Sequence, residues 1–188
     1  MPKTAREKLL GAAAEEFYAH GIHATGIDTI TNRAGVAKKS MYNNFRSKQE
    51  LVATYIEARH QQWLDLYARR VADTTDPKER CLAVFDAYLD HAGADYPEGF
   101  RGCGLQNVAG ELPNDDPGRA IIRTHKREIE QMLEQEIARI PEAEGDAPHL
   151  AELLIFLLEG AVQLAGLEGT TTRLIHARAL AADVIGAL

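Results

Sequence analysis

The chain has 188 residues, of which 45% are apolar, 26% charged and 6% aromatic. This composition suits one domain or two small ones and excludes a wholly disordered chain or a coiled coil. The longest uncharged apolar run, Leu153 to Leu158, is shorter than the ~20 residues of a membrane span, and the N-terminus lacks the apolar stretch of a signal peptide. The two cysteines, Cys81 and Cys103, are too few for a disulfide framework, so we expect a cytoplasmic protein in a reducing compartment.

The charge is distributed unevenly along the chain. Residues 1–60 carry nine Lys/Arg and six Asp/Glu, a net charge of +3, whereas the remaining residues carry a net charge of −10. This asymmetry favours an N-terminal part that meets a polyanion, attached to a body that does not. Chance clustering is the alternative, because +3 is modest.

Helical periodicity predicts an all-α chain of about nine helices, with no stretch that alternates like a strand. Capping signals mark several starts: Thr4 with Glu7, Thr25, Ser47 with Glu50, and Asp76 before Pro77. The predicted helices lie at about 5–20, 27–34, 38–45, 47–71, 77–92, 102–112, 118–139, 148–167 and 171–187. Loops are predicted at 93–101 and 141–148.

The second and third helices form a short pair joined at Ala34-Gly35-Val36, which is the helix-turn-helix pattern. A glycine lets the chain turn sharply where it leaves the second helix. The third helix is rich in residues that suit DNA, since lysines neutralise phosphates and Asn can pair with adenine. Lys48 adds an ammonium at the start of the fourth helix. The alternative is an exposed polar helix with solvated lysines.

The stretch from Arg6 to about Tyr55 resembles the DNA-binding domain of TetR/AcrR-family transcriptional regulators. The residues that carry the resemblance are Leu10, Ala13, Phe17, Gly21, Thr25, Ile30, Ala34, Gly35, Val36, Lys38, Tyr42, Phe45, Ser47, Lys48 and Leu51. It implies a DNA-binding domain over residues 1–50, with the motif at about 25–45 and the helix from Lys38 in the major groove. The candidate DNA contacts are Thr25, Lys38, Lys39, Ser40, Tyr42, Asn43, Asn44 and Lys48.

Three positions depart from the family pattern. Ala37 stands where the family usually has Ser, so the third helix loses a side-chain N-cap worth ~1 kcal/mol. Asn43 and Asn44 stand where an aromatic residue or His is frequent, which changes the expected phosphate and base contacts. Lys39 replaces a common Gly and adds a positive charge near the backbone.

The resemblance implies that residues 51–188 form a helical ligand-binding and dimerisation body. The eighth helix carries two apolar stripes, one with Leu150, Leu154, Leu157 and Ala161, the other with Leu153, Phe156, Leu164 and Leu167. A helix with two apolar faces must be covered on both sides. We therefore predict a homodimer through the two C-terminal helices. The alternative is a buried central helix in a monomer.

A pocket for an unidentified small-molecule effector is expected among the fifth to eighth helices. The candidate lining residues are Phe85, Tyr88, Phe100, Cys103, Asn107, His125, Met132, Phe156 and Gln163, each of which could instead be packing. The stretch around Gly102-Cys103, Asn107 and Glu111 resembles one in a subset of TetR-like bodies. Cys103 could be a sensor for electrophiles or oxidants, activated by nearby Arg101, or a small buried hydrophobe. Cys81 is predicted to be core.

The sequence thus predicts a homodimeric DNA-binding regulator, and specifically a repressor released from a near-palindromic operator by a small-molecule or electrophilic effector. It is not expected to be an enzyme or to carry a cofactor or a metal, because no Ser/His/Asp group or metal-ligand spacing is present and His20, His23 and His60 are scattered. The alternative is an all-α small-molecule-binding protein or enzyme without regulatory DNA binding.

Overall fold

The computed structural model describes residues 2–94, 96 and 98–188, with the side chain of residue 144 left aside. Over this part of the chain it contains nine α-helices and no strand, which confirms the all-α prediction. The helices are α1 (Ala5–His20), α2 (Ile27–Ala34), α3 (Lys38–Asn44), α4 (Lys48–Arg70), α5 (Pro77–Ala92), α6 (Gly104–Glu111), α7 (Pro117–Ile137), α8 (Ala147–Glu168) and α9 (Thr172–Gly186). Their ends agree with the predicted ends to about two residues.

Local sequence signals explain most of these helix ends. The Thr4 hydroxyl accepts from the Glu7 N–H while the Glu7 carboxylate accepts from the Thr4 N–H, so the predicted capping box is confirmed. Asp76 caps α5 through the Lys78 N–H at 2.9 Å. The predicted cap at Thr25 is wrong, because Gly26 is the N-cap of α2 and no side chain caps it.

Two further local predictions need correction. Ser47 accepts from the Glu50 N–H, but the Glu50 carboxylate reaches the Arg46 N–H instead of closing the box on Ser47. Most of the loop predicted at 141–148 is a 3₁₀ helix over Pro141–Asp146, which leads directly into α8. Short 3₁₀ segments are common at such helix starts and leave no periodic signal in the sequence.

The chain divides into two compact units. The first extends to His60 and includes Gly104–Ile122, and the second comprises Gln61–Cys103 and Arg123–Leu188. The predicted boundary at residue 50 falls inside the first unit, because α6 packs on α1 and belongs with the N-terminal helices.

The core of the first unit forms where α1, α2 and α3 pack together. Leu9, Ile30 and Met41 are fully buried, and the ring of Phe17 meets the edge of Tyr55 with centroids 5.5 Å apart. Burial of such side chains stabilises a fold by roughly 1.5–3 kcal/mol each. This small core holds α3 in place.

In the second unit, α9 packs against both α5 and α8. Arg178 on α9 binds Asp86 on α5 through two hydrogen bonds of 2.5 and 3.1 Å. The loop before α6 approaches α8 so closely that a Cβ on Gly166 would collide with the backbone of Gly102. Glycine is therefore required at that crossing.

Helix α8 combines length with strong apolar character. In the part of the chain that the structure describes, it is the one helix whose length and composition would allow it to cross a membrane. Core helices pass the same test. Here Leu154 and Ala161 of the first predicted stripe are buried together with Leu158, so this stripe faces the interior of the second unit.

Candidate nucleic-acid interface and buried polar cluster

The turn between α2 and α3 fixes which face of α3 is presented to solvent. Gly35 adopts the left-handed conformation with φ of 65°, and the Val36 N–H donates to the Thr31 carbonyl oxygen at 3.1 Å. On α3, Met41 is fully buried, and Phe45 directly after the helix is buried beside it. Since successive helical residues are 100° apart, these two anchors turn the opposite face outward.

The outward face of α3 is polar and basic. Its exposed side chains are Lys38, Lys39, Tyr42 and Asn43, followed one residue beyond Phe45 by the exposed Arg46. Tyr42 is 54% exposed, which is unusual for a tyrosine in a small helical unit. We define these five residues as the α3 face.

The cations on and beside this face differ in how far they are already neutralised. Lys38 forms an ion pair with Asp28 at 2.8 Å, and this hydrogen bond and the charge of Asp28 raise the pKa of Lys38. Lys39, Arg46 and Lys48 have no carboxylate partner for their side chains among the described residues. Their positive charge remains available for a phosphate.

Four of the eight predicted DNA contacts lie together on the α3 face, and the others are placed differently. Ser40 and Asn44 are half-buried, and the Asn44 amide donates to the Ser40 carbonyl oxygen at 2.8 Å. Thr25 is buried, and its hydroxyl donates to the Gly21 carbonyl oxygen at 2.7 Å, so its side chain serves the loop. Lys48 stands half-buried at the start of α4.

Sequence reasoning missed Arg46. A signal for it existed, because residue 46 lies four positions after Tyr42 and therefore on the same helical face. The expected loss of a cap on α3 is confirmed, since Ala37 occupies the N-cap and no side chain bonds there.

A carboxylate on α6 fixes the loop that leads into α2. Glu111 accepts from the N–H of Ile22 at 2.9 Å and from the N–H of His23 at 2.8 Å, and its Oε2 lies 3.4 Å from Nδ1 of His23. Gly21 has a φ of 85°, and a Cβ there would lie 2.5 Å from Glu111 Oε1. Glycine and glutamate together hold this loop inside the first unit.

The second unit contains a polar cluster centred on Lys126 of α7. Its ammonium lies 2.6 Å from Glu159 Oε1, 3.1 Å from the Tyr88 hydroxyl and 3.6 Å from Cys103 Sγ. The Lys126 side chain is only 18% exposed. We define these four residues as the Lys126 cluster.

Burial and neighbouring charge act in opposite directions on the Lys126 cluster. Burial favours the neutral amine of Lys126, but Cys103, Tyr88 and Glu159 outweigh it and raise the pKa of Lys126 well above its ordinary value. Burial also raises the pKa of Tyr88. Lys126 is therefore an ammonium and Tyr88 a neutral phenol at neutral pH.

An aromatic group adjoins this cluster. The ring of Trp63 stacks on Tyr67 with centroids 5.8 Å apart and lies 5.6 Å from Tyr88 and 5.8 Å from His125. The indole N–H of Trp63 is buried and has no acceptor among the described residues. A buried donor without an acceptor is costly and is satisfied when a ligand supplies one.

The structure brings together only part of the predicted effector pocket. Phe85, Tyr88, Phe100, Cys103 and His125 are all buried within the second unit. Asn107 belongs to the first unit, and Phe156 and Gln163 are exposed on α8, so these three are not placed with the others. Met132 is half-buried, since its neighbour Leu133 takes the fully buried position on α7.

The cation near Cys103 is also different from the expected one. Arg101 is exposed, whereas Lys126 reaches the thiol from α7. Cys81 is fully buried, as predicted, and burial raises the pKa of its thiol to about 12. No group of three or more His, Cys, Asp or Glu that could hold a metal ion occurs within the described residues.

Residues 9–55 match the family described as bacterial regulatory proteins, tetR family. The HTH-type transcriptional activator FasR of Mycolicibacterium smegmatis is 35% identical over 96 residues, which cover 51% of this chain and 43% of FasR. The HTH-type transcriptional regulator LmrA of Bacillus subtilis is 25% identical over 96% of both chains. The crystal structure of SCO4454, a TetR-family transcriptional regulator from Streptomyces coelicolor, matches with a TM-score of 0.85 and 25% identity, covering 96% of this chain and 95% of that chain.

Proposed function

Because the chain belongs to the TetR/AcrR family of DNA-binding transcriptional regulators, we propose that it is a homodimeric repressor that leaves its operator when an effector binds its second unit. The α3 face carries this proposal. It combines three unpaired or partly paired cations with Tyr42 and Asn43 on one side of a helix that two buried residues anchor. Phosphate contacts from the cations would position the helix, and Asn43 would read a base edge in the major groove.

Selection of bound DNA from a random pool, at stated salt, tests this function. A two-fold symmetric dimer places two recognition helices in successive major grooves, ~34–36 Å apart. The expected product is an inverted repeat whose half-sites are about one helical turn apart. Recovery of DNA without a common motif, both before and after ligand is stripped by unfolding and refolding, would contradict the proposal.

Substitutions on the α3 face should separate phosphate contacts from base contacts. Lys39→Ala is expected to weaken binding to every sequence alike and to reduce the slope of log affinity against log salt by about one. Asn43→Ala should instead relax the preference at one base pair, at a cost of ~1–3 kcal/mol on the preferred operator. Titrations of operator and a single-base variant at several salt concentrations measure both effects. Equal loss on both sequences for Asn43→Ala would remove its proposed role.

The proposed dimer uses the outer face of α8 and α9. Large apolar side chains are exposed there, namely Leu153, Phe156, Leu164, Leu167, Ile175 and Leu180. Exposed apolar patches of this kind on a packed helix pair are typical of protein interfaces. Two copies meeting through this face would form a four-helix interface. We call these six residues the outer apolar face.

Repression is the simpler mode of action for such a dimer. A bound dimer that overlaps a promoter excludes polymerase without a further contact, whereas activation needs an additional contact with polymerase. FasR is named an activator, so the position of the selected operator relative to the promoter is the deciding observation. An operator that lies upstream of the promoter and raises transcription would contradict repression. Action on chromosomal DNA would place the protein in the cytoplasm.

The proposed effector site lies at the Lys126 cluster and the aromatic group beside it. The ammonium and the Trp63 N–H would bind an acceptor on the effector, and the rings of Tyr67 and Tyr88 would cover its apolar part. The effector must bind one state of the dimer more tightly than the other to shift the population away from operator. An electrophile would act instead at Cys103, because a thiolate is the nucleophilic form and a neighbouring ammonium favours it.

The two cysteines provide a matched test of the electrophile proposal. N-ethylmaleimide, whose alkene adds a thiol to give a thioether, is expected to release operator from the unmodified protein and from Cys81→Ser. It should have no effect on Cys103→Ser. Cys81 is expected to stay unmodified at neutral pH because its pKa is about 12 and its side chain is fully buried. A full response that persists in Cys103→Ser would remove the sensor role.

A further inference from the structure

The first unit contains a cavity that is separate from the Lys126 cluster. It encloses about 650 Å³, which lies within the range of small-molecule sites. Its walls come from the loop after α1, the first turns of α4 and the turn between α6 and α7. Ile22, Val52 and Ile56 form its buried apolar floor, and its rim includes exposed residues such as Gln49, so the cavity is open to solvent.

Most charged groups that line this cavity are already engaged. Glu50 accepts from the Arg46 N–H at 2.7 Å, and Asp116 accepts from the Gly118 N–H at 2.7 Å. His23 faces Glu111 at 3.4 Å. Lys48 has neither a hydrogen bond nor an ion pair with its side chain among the described residues. The polar group that the cavity leaves for a ligand is therefore one ammonium.

We propose that this cavity is a second ligand site, which takes a small amphipathic anion with an apolar ring or chain body. The apolar body fills the space against Ile22, Val52 and Ile56, and the anionic group binds Lys48. Charge complementarity selects an anion, because the two lining carboxylates are engaged by backbone N–H donors and Lys48 is not engaged.

Lys48 gives this site a regulatory consequence, which rests on the proposed function. The same ammonium is a proposed phosphate ligand at the edge of the DNA-binding unit. A ligand that occupies it competes with the operator for one charge, so ligand and operator must weaken each other's binding by the same factor. This route needs no rearrangement of the effector site in the second unit.

A pair of fluorescent probes tests the site directly on the full-length protein without DNA. 8-Anilinonaphthalene-1-sulfonate has an apolar ring system and a sulfonate, and N-phenyl-1-naphthylamine has the same rings without the anion. Lys48→Met keeps the length of the side chain but removes the charge. It is expected to weaken the sulfonate probe about three- to tenfold while leaving the neutral probe unchanged. Ala53→Phe, which fills the cavity, should weaken both probes at least about tenfold.

The controls separate this cavity from other apolar surfaces. Phe156→Glu alters the outer apolar face and should leave the affinity of the cavity for both probes unchanged. If Ala53→Phe does not fold, the ratio of the two probe affinities in Lys48→Met decides alone. Binding of both probes that neither variant alters would overturn the site, and equal loss of both probes in Lys48→Met would overturn the anion assignment.

A final titration connects the site to DNA. Operator is expected to displace the sulfonate probe from the unmodified protein, whereas the neutral probe should compete more weakly. Normal probe binding in a protein that has no operator affinity would establish the cavity and refute the regulatory function. Failure of both probes to bind a protein that still binds operator would refute the cavity and leave the regulatory function standing, so the two proposals fail separately.

Discussion

Phe156→Glu is expected to dissociate the proposed dimer and to lower operator affinity by about 10²–10⁴-fold. Phe156 is the most central large side chain of the outer apolar face and is 66% exposed in the single chain. In a four-helix interface the two copies of residue 156 come from equivalent helices, so the substitution buries two carboxylates without partners. Loss of the dimer removes the second half-site contact, which accounts for the large effect.

Sedimentation equilibrium and operator titration measure these two consequences. The isolated fold should change little, because an exposed side chain contributes only about ±0.5 kcal/mol to the stability of the chain itself. Gln135→Glu, an exposed position on α7, introduces the same charge elsewhere and should remain dimeric. A Phe156→Glu protein that sediments as a dimer and binds operator normally would place the interface on another surface.

Periodicity predicted the two faces of α8 but could not assign Phe156 to one role. The sequence placed it both in the outer stripe and in the effector pocket, and only the burial of the other stripe, against which α9 packs, resolves this. The caps at Thr4 and Asp76 were predictable because both partners lie within three residues. Thr25 was wrong because its hydroxyl bonds backwards to Gly21 rather than forwards into α2.

Contacts between distant residues explain what the sequence could not predict. Lys126 is 23 residues from Cys103 and 33 from Glu159, so no local pattern links the cluster. Arg101 was the nearest cation in sequence and is exposed, whereas the buried cation comes from another helix. Trp63 was predicted to lie on the apolar face of the fourth helix, but its unpaired N–H follows only from the identity of its neighbours.

Glu111→Ala is expected to weaken operator binding about tenfold and to lower the free energy of unfolding by about 1–3 kcal/mol. Glu111 lies 89 residues from Ile22, yet it accepts hydrogen bonds from the N–H groups of Ile22 and His23. Without the carboxylate these donors are left unsatisfied at a partly buried site, which costs more than the net value of the bonds themselves. The loop that they hold leads directly into α2, so its loosening should reduce the population in which α3 is correctly presented.

Three variants separate this positioning role from charge and general stability. Glu57→Ala removes a carboxylate from an exposed position of the same unit and should not weaken operator binding, because a lost negative charge favours DNA. Glu111→Gln retains an amide oxygen as acceptor and should recover part of the loss, whereas His23→Ala tests the imidazole contact alone. Thermal unfolding, at roughly 2–4 °C per kcal/mol for a chain of this size, is measured beside operator titration. If Glu111→Ala melts and binds like Glu57→Ala, the α6 carboxylate has no part in presenting the α3 face, and the loop is held by the Thr25 hydroxyl and the backbone of Gly21 alone.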